Sequence, residues 1–374
     1  MRLYAFIIAM LLSGLTAKAQ SSELSIEQTT KLIQAARKSA VDPRGWAIDL
    51  LDVLRSQNQP PSRENVCSAI AIIDQESNFV ADPAVAGLGA LAEKTLRAKA
   101  DRIPILGRMA MQFLETTPSS NDSYMERIRS ARTERDLDMT YRSMVEDAGK
   151  RSSLSLVVES GLLNQLIEDR NDINTIGSMQ VSVRFALENA KRRRWLPMTL
   201  TDVYAVRDDL YTRHGGLYYG VLQLLDYESG YNRKIFRFAD YNAGRYASRN
   251  AAFQGLISTL SNLKLTKDGD LLLYNKDQQP LKKVSESEKA LRSIIAKYKL
   301  GIDDPSLRAD LLKEKDTRFI STQIYREVRK LMKQPVAFAE IPSIELNSPK
   351  IKHHMTTQNF AQSVDRRYQK CVGK

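Results

Sequence analysis

The chain has 374 residues, 43% hydrophobic and 27% charged, ordinary values that exclude a disordered or collagen-like polypeptide. That length allows one large domain or two modest ones. The formal charge of +12 suits acidic polymers or anionic headgroups, while three histidines and two cysteines offer no zinc-ligand spacing, so neither metal nor cofactor is expected.

Taken in order, the chain opens on a secretory signal. Arg2 precedes an apolar run at 3–15, and Ala17-Lys18-Ala19 fits a small-x-small cleavage site, so residues 1–19 read as a signal peptide cut after Ala19. The run is too short to span a bilayer comfortably, no later stretch is long and apolar enough to do so, and no cysteine at the cleavage site invites a lipid. A periplasmic or secreted location is expected, which argues against nucleic acid as a partner. Loss of Arg2 and Lys18 takes the charge from +12 to +10. Cys67 and Cys371 would then meet an oxidising compartment. A bridge would close a loop of about 300 residues and tie the C-terminal tail beside the helix before Glu76; two buried or free thiols are the alternative.

Ser25-Ile-Glu-Gln28 reads as a capping box opening a helix to about residue 38, and Pro43 suits the first turn of a second helix over 44–55. A third starts near Arg63 and runs into residues 69–79, Ala-Ile-Ala-Ile-Ile-Asp-Gln-Glu-Ser-Asn-Phe. Ile70, Ile73 and Ser77 share one side of it, with Ile72 and Glu76 beside them. A carboxylate there lies at the negative end of the helix dipole and against an apolar body, influences that disfavour its ionised form, as a general acid requires. The plainer reading is a surface glutamate just past an amphipathic helix.

A loop at 82–89 leads to helices at 91–100, 105–114 and 123–147, the last highly charged and read as a solvated face. A second apolar run at 154–163 contains Glu159-Ser160-Gly161. A helix follows residue 181 to about 194, and the unbroken apolar stretch 217–225 fits a central helix. Further helices are expected at 250–263, 286–298, 305–312, 317–332 and 357–370. Residues 270–274 and 281–284 leave room for one small β-hairpin. The fold class is mainly α.

Three stretches together carry a resemblance. Gln75-Glu76-Ser77-Asn78-Phe79, Gly177-Ser178-Met179-Gln180-Val181 and Ala239-Asp240-Tyr241-Asn242-Ala243-Gly244 resemble, in this order, the three signatures of the lysozyme-like lytic transglycosylases and goose-type lysozymes. Residues 217–225 are similar to that family's central helix. The likeness covers about 69–249, and the flanks look like those of an uncharacterised family of Gram-negative envelope proteins with the same core. It implies a lysozyme-like helical core at 63–263 with a helical insertion at about 90–153. N-terminal helices would occupy 20–62, and a helical extension at 264–374 would pack on the core.

The resemblance also implies cleavage of the bond between N-acetylmuramic acid and N-acetylglucosamine in peptidoglycan glycan strands. Glu76 matches the catalytic acid, Ser77 a hydroxyl orienting acid or sugar, and Gly177 a close backbone approach to substrate. Met179 and Gln180 match the floor and polar wall of the cleft, and Tyr241 and Asn242 residues facing the acid. One carboxyl suffices where the substrate's own acetamido group supports the oxocarbenium-like state. The sequence departs from the pattern in placing about 100 residues between Glu76 and Gly177, where the family keeps the two close. Glu159 is therefore a rival acid. Asp240 stands where a small or apolar residue is usual and would contact the sugar or Arg245. The alternatives are a hydrolytic muramidase and a lysozyme-like envelope protein that binds glycan or a partner without cutting, with peripheral contact to the anionic envelope surface.

Overall fold

The computed structural model describes residues 23–119, 121–150, 175–275, 278–332, 337–345 and 355–373. Residues 1–19, Glu159 and the apolar run around it lie outside them, as does part of the expected 90–153 insertion. The fold is mainly α-helical, and its helices begin and end where local chemistry dictates. Helix α1 (Ile26–Ala36) opens on the reciprocal Ser25–Gln28 capping box. In α2 (Pro43–Ser56) Pro43 occupies the first turn behind an Asp42 cap. Ser62 caps α3 (Arg63–Glu76), a helix buried along almost its whole length.

Beyond α3, α4 (Leu88–Ala100), α5 (Pro104–Thr116), α6 (Tyr124–Ser130) and α7 (Glu134–Lys150) gather around a cluster of their own that includes Leu88, Phe113, Tyr124, Met125 and Leu137. The two-residue strands β1 (Pro118–Ser119) and β2 (Asp122–Ser123) pair antiparallel between α5 and α6. This cluster is tied to α9 (Leu200–Leu210) by Asp138 on α7, which is 1% exposed and accepts from Arg142 at 2.6 Å and Arg207 at 2.9 Å.

The main core joins α1, α2 and α3 to α10 (Arg213–Leu225), α11 (Lys234–Ala243) and α16 (Thr357–Val372). A third cluster gathers α12 (Ala247–Ser261), α13 (Glu286–Tyr298), α14 (Asp304–Leu311) and α15 (Gln323–Lys330) around Phe253, Phe319 and Tyr325. The expected extension at 264–374 is therefore divided. Its middle builds this third cluster with α12, whereas α16 returns to the main core, because Phe360, Val364, Tyr368 and Cys371 form an apolar stripe that fits between α3 and α11.

At 270–284 the expected hairpin is reduced to one antiparallel bridge, Tyr274 to Pro280. A tight hairpin forms instead at β3 (Thr175–Ile176) and β4 (Val181–Ser182), which pair across the Gly177–Gln180 turn. Helix α8 (Val183–Arg192) follows directly, capped by Ser182.

Candidate functional site

Glu76 is the last residue of α3, half-buried, and the chain turns sharply after it. Asn78 and Phe79 both take left-handed backbone conformations, with φ of 54° and 65°. For a bulky residue such as Phe79 that is uncommon and costs about 1–3 kcal/mol. Its ring offsets the cost by burial, meeting Trp46 edge-on at 5.4 Å. The turn thus fixes where α3 stops and where its terminal carboxylate emerges.

The β3–β4 turn is held from two sides. Gly177 adopts φ +80°, and a Cβ there would lie 2.1 Å from the Leu210 carbonyl oxygen, so the turn presses onto the end of α9 as only glycine can. Met179 is fully buried over Gly220 of α10, where a Cβ would meet its Sδ at 2.2 Å. Gln180, at φ 48°, is braced by its own amide, which donates to the Gly177 carbonyl at 3.2 Å and accepts from the Thr175 hydroxyl at 3.1 Å.

Tyr241 and Asn242 end α11. The Tyr241 hydroxyl donates to the Met179 carbonyl at 2.8 Å, tying α11 to the turn. Burial and the negative charge of nearby Glu76 push the phenol well above its ordinary pKa. The Asn242 side-chain oxygen accepts from the Thr357 hydroxyl at the start of α16, at 2.8 Å.

Helix α16 clamps these pieces together. Cys371 is bonded to Cys67 of α3 across 304 residues. Ser363 donates to the Gln75 side chain at 2.8 Å, Arg367 donates to Asp74 at 2.9 Å, and Tyr368 meets Phe238 of α11 at 5.6 Å.

The result is an open groove of about 790 Å³. Glu76, Gln180, Tyr241 and Asn242 all line it, brought from three remote stretches of chain. The ridge Phe185, Glu188, Asn189 and Arg192 of α8 forms one wall, and Gln223, Tyr227, Arg245 and Tyr246 contribute from α10, α11 and the segments after them. Lys315, Asp316 and Thr317 close in from the third cluster, and Phe360 from α16. Aromatic faces, amides and charges of both signs suit a polar polymer such as a glycan.

Three expected contact residues support the groove from behind. Ser77 is 3% exposed and its hydroxyl donates back to the Ile73 carbonyl at 3.2 Å, because a serine at a helix end satisfies itself on the preceding turn. Gly177 and Met179 face α9 and α10, and Met179 offers its backbone carbonyl to Tyr241 in place of a side-chain floor.

Asp240 also borders the groove, with its carboxylate committed to structural partners. It is 1% exposed and accepts from the hydroxyls of Tyr231 at 2.7 Å and Tyr227 at 3.2 Å, and from the backbone amides of Tyr246 at 2.8 Å and Ser248 at 2.7 Å. The carboxylate stitches the end of α11 to the start of α12, where the positive end of a helix dipole favours it. Burial nonetheless raises its pKa to about 6. Arg245 does not pair with it: the guanidinium stacks at 5.0 Å over both Phe185 and Tyr227 and donates to the Leu222 carbonyl.

The residues that sequence reasoning passed over are those of α8, with Gln223 and Arg245. Their one signal was the spacing of Phe185, Glu188, Asn189 and Arg192, a single helical face of mixed polarity. Among the described residues no group of histidine, cysteine, aspartate and glutamate could hold a metal ion, and no helix is long and apolar enough to cross a membrane.

Fold and site together define a mainly α-helical protein with a polar, aromatic-lined groove around a helix-terminal glutamate. The chain belongs to the family described as "Protein of unknown function (DUF1615)", whose model matches residues 39–374. It is similar to the uncharacterized protein YaiW of Escherichia coli (strain K12), with 35% identity over 376 residues, covering 98% of this chain and 97% of that protein. No solved structure matches it.

Proposed function

We propose that this protein is an exported peptidoglycan lytic transglycosylase with Glu76 as its single catalytic carboxyl group. One observation carries the reading: Glu76, Gln180, Tyr241 and Asn242, singled out from three separated motifs, share one groove of glycan-compatible size. In the reaction the Glu76 carboxyl gives its proton to the glycosidic oxygen between N-acetylmuramic acid and N-acetylglucosamine, and the bond to the anomeric carbon breaks. The resulting carboxylate then takes the proton of the muramoyl 6-hydroxyl as that oxygen bonds the anomeric carbon. The product is a 1,6-anhydro ring, water is not consumed, and Glu76 regains its proton. Tyr241 is a positioning residue, since its one hydroxyl proton is committed to the Met179 carbonyl.

Digestion of purified sacculi tests this. Wild type should release muropeptides with anhydro ends, and Glu76→Gln should lower the rate at least about 100-fold while still pelleting with sacculi. Reducing ends in place of anhydro ends would identify a hydrolytic muramidase on the same groove. A binding protein that does not cut is favoured by one feature, the commitment of the Asn242 side-chain oxygen to Thr357. Wild type that pellets with sacculi yet releases nothing would establish that second reading.

A further inference from the structure

The α8 wall and the residues beside it have a chemistry that the cleavage scheme does not use. Phe185, Glu188, Asn189 and Arg192 line the groove from α8, and Arg245 lies beside them with its guanidinium 5.0 Å from the ring centres of both Phe185 and Tyr227. Three polar atoms in this wall are buried and have no hydrogen-bond partner among the described residues: Arg245 Nε, Asn189 Oδ1 and Gln223 Oε1. The Gln223 amide is held in place by its own nitrogen, which donates to the Tyr241 carbonyl at 3.0 Å. Arg245 forms no ion pair within 4 Å among the described residues, although exposed Asp226 lies near enough to favour its charge and exposed Arg192 near enough to oppose it. Leaving such groups unmet is unfavourable, more so where charge is involved.

The unmet set is specific. One charged donor seeks an anionic acceptor, and two amide oxygens seek N–H donors. An acetamido sugar supplies an N–H but no negative charge, and the lactyl carboxylate borne by a stripped muramoyl residue has no peptide N–H beside it. A short peptide supplies both, an ionised carboxylate flanked by amide N–H groups. Planar guanidinium is also the side chain best shaped to grip a carboxylate.

We propose that Arg245, Asn189, Gln223 and Arg192 form a subsite for the carboxylate-bearing peptide carried on the glycan strand, so that the groove recognises peptide-substituted strands over bare ones. The subsite rests on the glycan reading of the groove. Contacts with the Phe185 and Tyr227 rings and the hydrogen bond to the Leu222 carbonyl hold the guanidinium in place before the ligand arrives, which lowers the entropic cost of binding.

The test compares the full-length mature protein on two ligands: soluble glycan strands bearing their peptides, and the same strands stripped by an amidase. Wild type is expected to bind the substituted strands at least about tenfold more tightly, the value of one charge-assisted contact. Arg245→Gln should abolish that preference by weakening the binding of the substituted strands. Arg192→Glu, at an exposed position where folding is not at risk, should narrow the preference in the same direction. Equal affinity of wild type for the two strands, or a preference that survives both substitutions, would overturn the subsite while leaving the glycan reading intact. Failure of wild type to bind either strand would overturn both.

Discussion

Breaking the Cys67–Cys371 bond measures how far the last helix holds the groove together. The bridge closes 304 residues, for which the chain-entropy relation gives about 6 kcal/mol at 25 °C as an upper bound. The other α16 contacts survive its loss: Ser363 to Gln75, Arg367 to Asp74 and Tyr368 against Phe238. The unfolded chain also retains some structure without the bond, so the expected loss is about 2–5 kcal/mol. With an unfolding entropy of about 2.1 cal/mol/K per residue, a chain of this size should drop by about 3–7 °C. Scanning calorimetry on oxidised wild type, wild type in reductant and the Cys67→Ala/Cys371→Ala variant gives the comparison. Reductant should lower the wild-type midpoint to near that of the variant and leave the variant unmoved. Hydrogen exchange should show α16 and the last turn of α3 losing protection together, while α4–α7 keep theirs. Midpoints within about 1 °C across all three samples would refute the reasoning.

Other consequences concern single residues. Glu314 is fully buried and accepts from the Leu272 amide at 3.0 Å and the Tyr274 hydroxyl at 2.5 Å, yet burial raises its pKa to about 7 from 4.5. The folded state therefore holds this proton more tightly, and the group's contribution is full below about pH 4.5 and lost as pH rises through 7, a swing of about 3 kcal/mol. Urea titrations of wild type and Glu314→Gln should show their stability difference shifting against wild type across that window; a constant difference would be incompatible with the raised pKa. Tyr241→Phe strips the Met179 carbonyl of its buried donor and should cost about 1–2 kcal/mol in the same titrations. Gly177→Ala meets a backbone carbonyl at positive φ and should cost more than Gly220→Ala, whose new methyl meets a movable methionine side chain; the reverse order would show the β3–β4 turn to be softer than drawn.

Much of the helical framework was legible because its signals are local. Ser25 with Gln28, Pro43 behind Asp42 and the apolar run before Glu76 each state a start or a stop within a few residues. The groove residues Glu76, Gln180, Tyr241 and Asn242 were legible only as a set of motifs. Which way each side chain turns was not. Ser77 and Met179 share those motifs but face inward, because a helix-end hydroxyl bonds its own turn and Gly220 on α10 opens a slot for the methionine. Beyond its spacing nothing local marks the face of α8 as part of a site, and it becomes a wall because β4 feeds straight into α8 beside Arg245. The hairpin expected at 270–284 shrinks to a single bridge, since Glu314 rather than a partner strand accepts the Leu271 and Leu272 amides.

The same distinction explains the weight carried by α16. Glu76 belongs to α3 and the Tyr241–Asn242 pair to α11. Residues of α16 touch both: Gln75, the neighbour of Glu76, through Ser363, and Asn242 through Thr357. Phe360 of the same helix reaches the groove itself. A segment more than 280 residues beyond Glu76 thus braces both sides of the groove, and the disulfide sits at the far end of that segment. A clamp so placed can be fastened covalently without putting a redox-active group among the groove's own side chains. Helix α16 thus links the disulfide to the groove through its hydrogen bonds to Gln75 and Asn242 as well as its packing.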